Sequence, residues 1–536
     1  MRTFNLSDFI GNIMPQADMT AAFVSCFENA KKCGENVQIL IPPGKYHLNA
    51  VEPVELFSDL SIYAEGASFY FPEKMESPKH RTMFLGTDIR NFSWQGGTFY
   101  GFVYDVPPAL PLWRPDACSR GIAIQTTEHG TTSNLCFSNI NGKNCAGSVV
   151  SVYGYSGSTP KNRAKNIEVF NCRFENCGKF MWDYGYLWEK MVFPEHFSTE
   201  EYETALQYLP DKNISGAVSF CGEYIQVENL PEIKHDNRFP RDNICFFGSN
   251  LPPEIKKGTV YFVLHEEQGK VWFSEQVNGS PCRTSIPANC SCRLFRNMFD
   301  VFHWTYAPVE QGPGKGAVDL VCCQNLKVSD SVFSANGDSM HIKDSSEVVF
   351  SNNRIAGSRM GAFFLAFDCD HVTATGNVVN GTNGSRVLTV ERGCHEIVIS
   401  DNVFSGGGRG CWFNSNENLI LTGNIFDNNV LKGVPEFGKG RRSPFSGDFE
   451  KYPELYFAHG GKGYGNIIIK SNIICATPTN TESSVLFQSM GHDIIMSDNI
   501  FRSGTSKVSV AEDVRLIQEN NSGISGFDSR DVQDPL

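Results

Sequence analysis

From residue 316 onward, apolar and polar positions alternate in short runs that return to the same pattern. Each run is an apolar strand, a polar turn, a second strand ending in Asn, then a β-branched or aromatic position and a Gly/Ser/Asn corner. The copies VVFSNNRI, VTATGNVV, IVISDNVF, LILTGNIF, IIIKSNII and IIMSDNIF close on Asn353, Asn377, Asn402, Asn424, Asn472 and Asn499. The steps between them are 24, 25, 22, 48 and 27 residues, and the long step reads as two coils with an excursion. Weaker copies stand earlier, in NFSWQGGTF, NLCFSNING, NIEVFNCRFENCG and NLKVSDSVF. Period-2 alternation predicts strands, and a repeat of this length suits one coil of two or three short strands that buries its inner face only by stacking on the next. The recurring Asn predicts side-chain amide ladders at one turn, in residues tolerant of left-handed backbone, which is a structural role.

The first coil of such a stack needs a cover. Residues 18–33 carry helical spacing of Ala22, Phe23, Cys26, Phe27 and Ala30, followed by VQILIPPGKYHL, a buried strand and a Pro-Gly turn. With its Ile-Pro-Pro-Gly-x-Tyr strand after a helix, the chain resembles the pectate-lyase-like right-handed parallel β-helix superfamily. The repeat is interrupted between about 185 and 300, where FSTEEYETALQYL reads helical and the segment from DNRFPRDN to SEQVNG reads as antiparallel hairpins. The expected fold is all-β: a right-handed parallel β-helix with an N-terminal capping helix and an inserted small β-barrel or sandwich. The expected division is 1–190 for the cap and first coils, 191–300 for the insert, and 301–536 for the main β-helix with a long loop at 428–462.

A net charge of −13 argues against nucleic acid or an anionic membrane as the main partner, since both need basic patches. The N-terminus has no basic region followed by an apolar run and cleavage site, and no later stretch is apolar enough to span a bilayer, so a soluble, cytoplasmic protein is expected. The 18 Cys are diluted over 536 residues, many within apolar strands, and read as reduced core thiols with no metal or other cofactor. A neutral ligand fits as partner, and a homo-oligomer is compatible with the sequence.

Outward positions of successive coils form columns, where chemistry can sit. With Met340, Ile342, Phe363, Leu365, Leu388, Val390, Cys411 and Phe413 inward, the outward positions hold His341, Lys343, Phe364, Ala366, Thr389, Glu391, Trp412 and Asn414, with Asp368 just beyond Ala366. Asp368 and Glu391, 23 residues apart, are expected in nearly one column. Two neighbouring carboxylates separate each other's proton affinities, and at about 5 Å they suit a retaining glycosidase. Asp338 is a third candidate acid. Arg359, Arg386 and Arg409 recur at one Gly-rich corner, and with Arg392, His341, Lys343, Asn414, Trp412, Phe364 and Trp304 they are candidate substrate-binding groups. The loop at 428–462 adds Arg441, Arg442 and Asp448.

NGDSMHIKDSSEVVFSNN resembles the Gly-Asp-Asp strand entry of polygalacturonase-like glycosidases, with only the first Asp present. The Asp368 and Glu391 spacing, with a β-rich insert, resembles the β-xylosidase family of β-helical retaining glycosidases. These resemblances imply a glycoside hydrolase with a two-carboxylate mechanism and a carbohydrate substrate as partner. The alternatives are a polysaccharide lyase or uronate epimerase using Lys343, His341 or the arginines, and a non-catalytic tailspike-like binding solenoid.

Overall fold

The structure, a computed structural model, describes residues 1–11, 17–34, 36–71, 81–101, 119–145, 147–178, 214–231, 242–257, 259–276, 279–296, 316–358, 361–382, 385–431, 452–477, 483–502 and 506–529. The chain divides into two compact units: residues 1–107, 114–181 and 308–536 in one, and 108–113 with 182–307 in the other.

In the first unit, alternating strands stack into three long parallel sheets of 14, 13 and 12 strands among the described residues, here sheets 1, 2 and 3. One coil shows the construction. Met340–Lys343 joins sheet 2, Ser346–Ser351 joins sheet 1 and Arg354–Ser358 joins sheet 3, each pairing with the strands one coil on. This is a parallel β-helix. Its register keeps inward residues in columns: Val348, Val372, Ile397, Leu419, Ile467 and Ile494 stack in sheet 1, all buried. Each such side chain removed from water contributes roughly 1.5–3 kcal/mol, realised only when neighbouring coils are present. The eight residues expected inward in sheet 2 all belong to the one continuous core.

The helix Thr20–Lys31 covers the first coil, burying Ala22, Phe23, Cys26, Phe27 and Ala30. Phe23 packs edge-on to Tyr46 at 5.4 Å and Phe84 at 5.9 Å between ring centroids. At the far corner the Asn ladder is present. Asn353 donates its backbone N–H and side-chain amide to Asn377 Oδ1, Asn377 to Asn402, Asn402 to Asn424, Asn424 to Asn472, and Asn472 to Asn499. Two details differ from expectation. The left-handed position belongs to the preceding residue, Asn352, Gly376, Asp401, Gly423, Ser471 and Asp498, while the ladder Asn residues are buried inside. The 48-residue step is one coil rather than two, because Asn424 bonds Asn472 directly and Cys411–Asn414 pairs with Leu455–Ala458. An excursion does not advance the ladder, so sequence spacing overcounts coils there.

The second unit holds a six-stranded antiparallel sheet over 218–296, whose first strand Val218–Phe220 and last strand Ser291–Arg296 are joined by a bridge from Ile214 to Phe295. The result is a near-barrel around Ile225, Ile244, Phe246, Val271, Phe273 and Leu294. The described cysteines, buried or half-buried, form no disulfide. No helix among the described residues is long and apolar enough to cross a membrane.

Candidate functional site

A parallel β-helix places every second strand residue on its outer wall, where water normally solvates it. The outer wall of sheet 2 departs from this. The register aligns Ala123, Ser151, Asp319, His341, Phe364, Thr389, Trp412 and Tyr456 in one outward column. Within it Ser151, Asp319, His341, Thr389 and Trp412 are buried. A second column, two residues further along, holds Gln125, Tyr153, Val321, Lys343, Ala366, Glu391 and Asn414.

At the centre, Asp319 stands alternately between Val318 and Leu320 on the strand Val318–Val321 and accepts two side-chain hydrogen bonds. His341 Nδ1 lies 2.5 Å from Asp319 Oδ1, and the Tyr153 hydroxyl donates to Asp319 Oδ2. The Arg120 guanidinium, wholly buried, lies 5.5 Å over the Tyr153 ring. Burial pushes the Asp319 carboxyl up, but the charge and hydrogen bond of His341, the Tyr153 hydroxyl and the Arg120 charge outweigh it and hold the group below its ordinary range. Burial and the Asp319 charge push Tyr153 well above the usual phenol value. Asp319 is therefore the ionised anchor that orients His341 through Nδ1, as a carboxylate orients an acid–base histidine.

Asp338, buried, precedes the strand Met340–Lys343, and its Oδ1 accepts the Gly361 N–H at 2.6 Å. Gly361 is required there: a Cβ would sit 2.6 Å from that oxygen. The Phe364 ring stands edge-on to His341 at 5.5 Å. Ala366, itself buried, separates Lys343 from Glu391 in the column, a small residue between two long ones. Glu391 is 17% exposed, with Arg392 Nε 3.6 Å away.

The expected Asp368 and Glu391 pair does not share a column. Ala366 opposes Glu391, while the Asp368 N–H bonds Arg392 O. The corner after sheet 2 has two residues between Lys343 and Ser346 but three between Ala366 and Asp370, and Asp368 fills the extra position, in left-handed backbone against Gly393. Its side chain is 60% exposed, with Lys161 Nζ at 3.9 Å.

Arg386, opposite Gly361, lies 4.3 Å over the Trp412 ring, and Tyr456 meets that ring edge-on at 4.7 Å. Trp412, expected as a stacking platform, is therefore a packed residue with a cation already on its face. Arg392 and Lys343 flank the Phe367 ring at 4.5 and 4.6 Å. Asn414 stands beside Glu391 in the column and accepts from Ser415 Oγ. Arg409 begins the turn before Cys411–Asn414, its N–H bonded to Ser385 O. Arg359, Trp304, Arg441, Arg442 and Asp448 lie outside the described residues.

Sequence reasoning missed Asp319, Tyr153 and Arg120. A signal existed for the first. VDLV places an acid at an outward strand position between apolar residues, one coil before His341.

Residues 306–449 match the family described as right handed beta helix region. The protein is a right-handed parallel β-helix with a small antiparallel β-unit. Among solved structures, the mannuronan C-5 epimerase A-module of Azotobacter vinelandii is similar over 98% of this chain and 97% of its own, with 11% identity and a TM-score of 0.47. The Streptococcus pneumoniae surface adhesin PfbA is similar over 98% and 100%, with 12% identity and a TM-score of 0.45. An exopolygalacturonase from Thermotoga maritima is similar over 97% and 92%, with 10% identity and a TM-score of 0.41. No curated protein matches the sequence.

Proposed function

We propose that this chain is a glycoside hydrolase whose site is the outer wall of sheet 2 around His341, Asp319 and Glu391. The observation that carries the reading is the buried Asp319–His341 pair, on the outward side of a wall that also carries Phe364 and Glu391. An ionised Asp319 favours the imidazolium form of His341, which can donate a proton to a leaving glycosidic oxygen. Glu391 can take a proton from water. The two stand two coils apart across the sheet and two residues apart along the strand, about 11–12 Å between backbone positions at ~4.8 Å per coil and ~3.3 Å per residue. That backbone separation is wider than the close pair of a retaining enzyme. The retaining pair of Asp368 and Glu391 is replaced in this proposal by His341 and Glu391. Phe364 offers an aromatic edge to a sugar ring.

One observation favours a second reading. Tyr153 and His341 converge on Asp319 beside Arg120, a base, an acid and a cation that would also serve proton abstraction next to a uronate carboxylate, as in a lyase or epimerase. A panel of chromogenic glycosides, run beside ultraviolet detection of unsaturated uronates, decides between them. Chromophore release that disappears in Glu391→Gln and His341→Gln supports hydrolysis. An ultraviolet gain independent of Glu391 supports the second reading, and silence in both assays overturns catalysis.

A further inference from the structure

We infer that the corner leading into sheet 1 holds a site for a divalent transition-metal ion of the Zn²⁺ class, formed by two dipeptides on adjacent coils, Asp370-His371 and His395-Glu396. The parallel register sets Asp370 opposite His395, so residues 25 apart in sequence become neighbours. His371 and Glu396 both take left-handed backbone, φ 51° and 56°, on the same corner. Asp370, His371 and Glu396 each offer a ligand atom, and these atoms all lie within 4.8 Å of one another. His371 Nδ1 is 2.6 Å from Asp370 Oδ1, and its Nε2 is 3.0 Å from Glu396 Oε2. The second imidazole stands ready beside them, His395 Nδ1 lying 3.7 Å from Glu396 Oε2.

The donor set decides the class of ion. One imidazole and two carboxylates already lie together, and the His395 imidazole, outside that group and 3.7 Å from Glu396, would have to turn in to complete a set of two nitrogens and two oxygens; such a set suits Zn²⁺ and its neighbours, whereas Ca²⁺ and Mg²⁺ select all-oxygen sets. A tetrahedral ion with ligand bonds of about 2.0–2.2 Å brings its donors closer together than the widest of these separations, and three of the four side chains are two-fifths or more exposed and so free to turn toward it. The backbone need not move, because the coil spacing is fixed by the sheet. Outer support is also present: Ser346 Oγ donates to Asp370 Oδ1 at 2.5 Å, fixing the ligand carboxylate from the preceding coil. Glu347, which accepts from Gln324, adds negative charge on that preceding coil. The ion would clip consecutive coils on a wall other than that of the sugar site, and this assignment is independent of the proposed hydrolysis.

A second His–carboxylate group on the same wall provides the control. His492 lies 3.2 Å from both Glu417 and Asp493, but it offers one imidazole where the proposed site has two. The test is calorimetric titration of Zn²⁺, and separately Ca²⁺, into the metal-stripped full chain and into His371→Ala, Glu396→Gln and His492→Ala. The expected result is one Zn²⁺ per chain, a rise in Tm with Zn²⁺, and at least tenfold weaker binding in His371→Ala and Glu396→Gln, while His492→Ala binds as the parent does. Circular dichroism of each variant without metal checks that the fold is retained. No Zn²⁺ binding by the parent, equal binding by all variants, or preference for Ca²⁺ would each overturn the assignment.

Discussion

Two walls of one solenoid, built from the same coils, have opposite character. On sheet 1 the outward positions are solvated or loosely covered: Val349 is 40% exposed, Ile495 36% and Ile517 38%. On sheet 2 the equivalent positions hold Asp319, His341 and Thr389, all 5% exposed or less. The repeat that fixes inward residues is alike on both, so coil geometry cannot explain the difference. Burying polar groups costs free energy unless they are paired, and the interlocked Tyr153, Asp319 and His341 meet that condition. The two walls thus differ in whether their outward groups are hidden and paired or left to water.

The difference between the walls is lost most completely when the core beneath them is disrupted. Leu388→Asp places an unpaired carboxylate in the shared core and should cost more than about 4 kcal/mol, seen as a collapse of the urea midpoint with loss of amide protection in the neighbouring coils. Retained stability would mean the coils do not share a core. On the sheet 2 wall, Asp319→Asn keeps the shape but removes the charge that orients His341. Turnover on the glycoside found by the panel should fall about a hundredfold or more. Glu391→Gln should do likewise, whereas Asp368→Asn should leave turnover near the parent value. Equal loss from Asp368→Asn would restore the pair expected from spacing.

Glu454 lies at the corner that leads into the strand Leu455–Ala458. This buried carboxyl accepts the backbone N–H groups of Asn429 and Thr477 and the Thr477 hydroxyl, at 2.7, 2.8 and 2.7 Å. Burial nonetheless outweighs those bonds and pushes it up to about 7. Because the folded value lies above the unfolded one, the native state holds the proton more tightly. Its contribution is complete below about pH 4 and is lost as pH rises toward 7, by about 3 kcal/mol. Unfolding followed across that range should show the decline, and Glu454→Gln should flatten it while costing about 1–3 kcal/mol from a misplaced amide. Asp319 has the opposite sign: held low in the fold, it stabilises above about pH 4, and that contribution is lost as pH falls through its depressed value. The smallest effect belongs to the sheet 1 wall, where Val349→Thr should change stability by no more than about 0.5 kcal/mol.

The architecture was legible because it is local. Alternation named the inward residues of the sheet 2 strands, and the Asn recurrence named the ladder. The site was legible only in part. His341, Lys343, Phe364 and Glu391 were readable as outward residues, yet their partners were not, because Tyr153 and Asp319 are 166 residues apart with the β-unit between them in sequence. The Asp368 expectation failed for a definite reason: one extra corner residue moves a side chain off the wall, and a count along the chain cannot tell a longer corner from a longer strand. The 48-residue step failed for the same reason, since an excursion adds residues without adding a coil.

By itself the sequence determined the inward face, the strand period, the covering helix and which residue types face outward. These depend on neighbours along the chain and on the period of two that the backbone imposes. Tertiary structure alone decided which outward residues meet, which acid is held ionised, and which arginine lies over which ring. Those outcomes depend on the register between coils and on how far each corner or excursion displaces it, and a displacement of one residue turns a wall position into a turn.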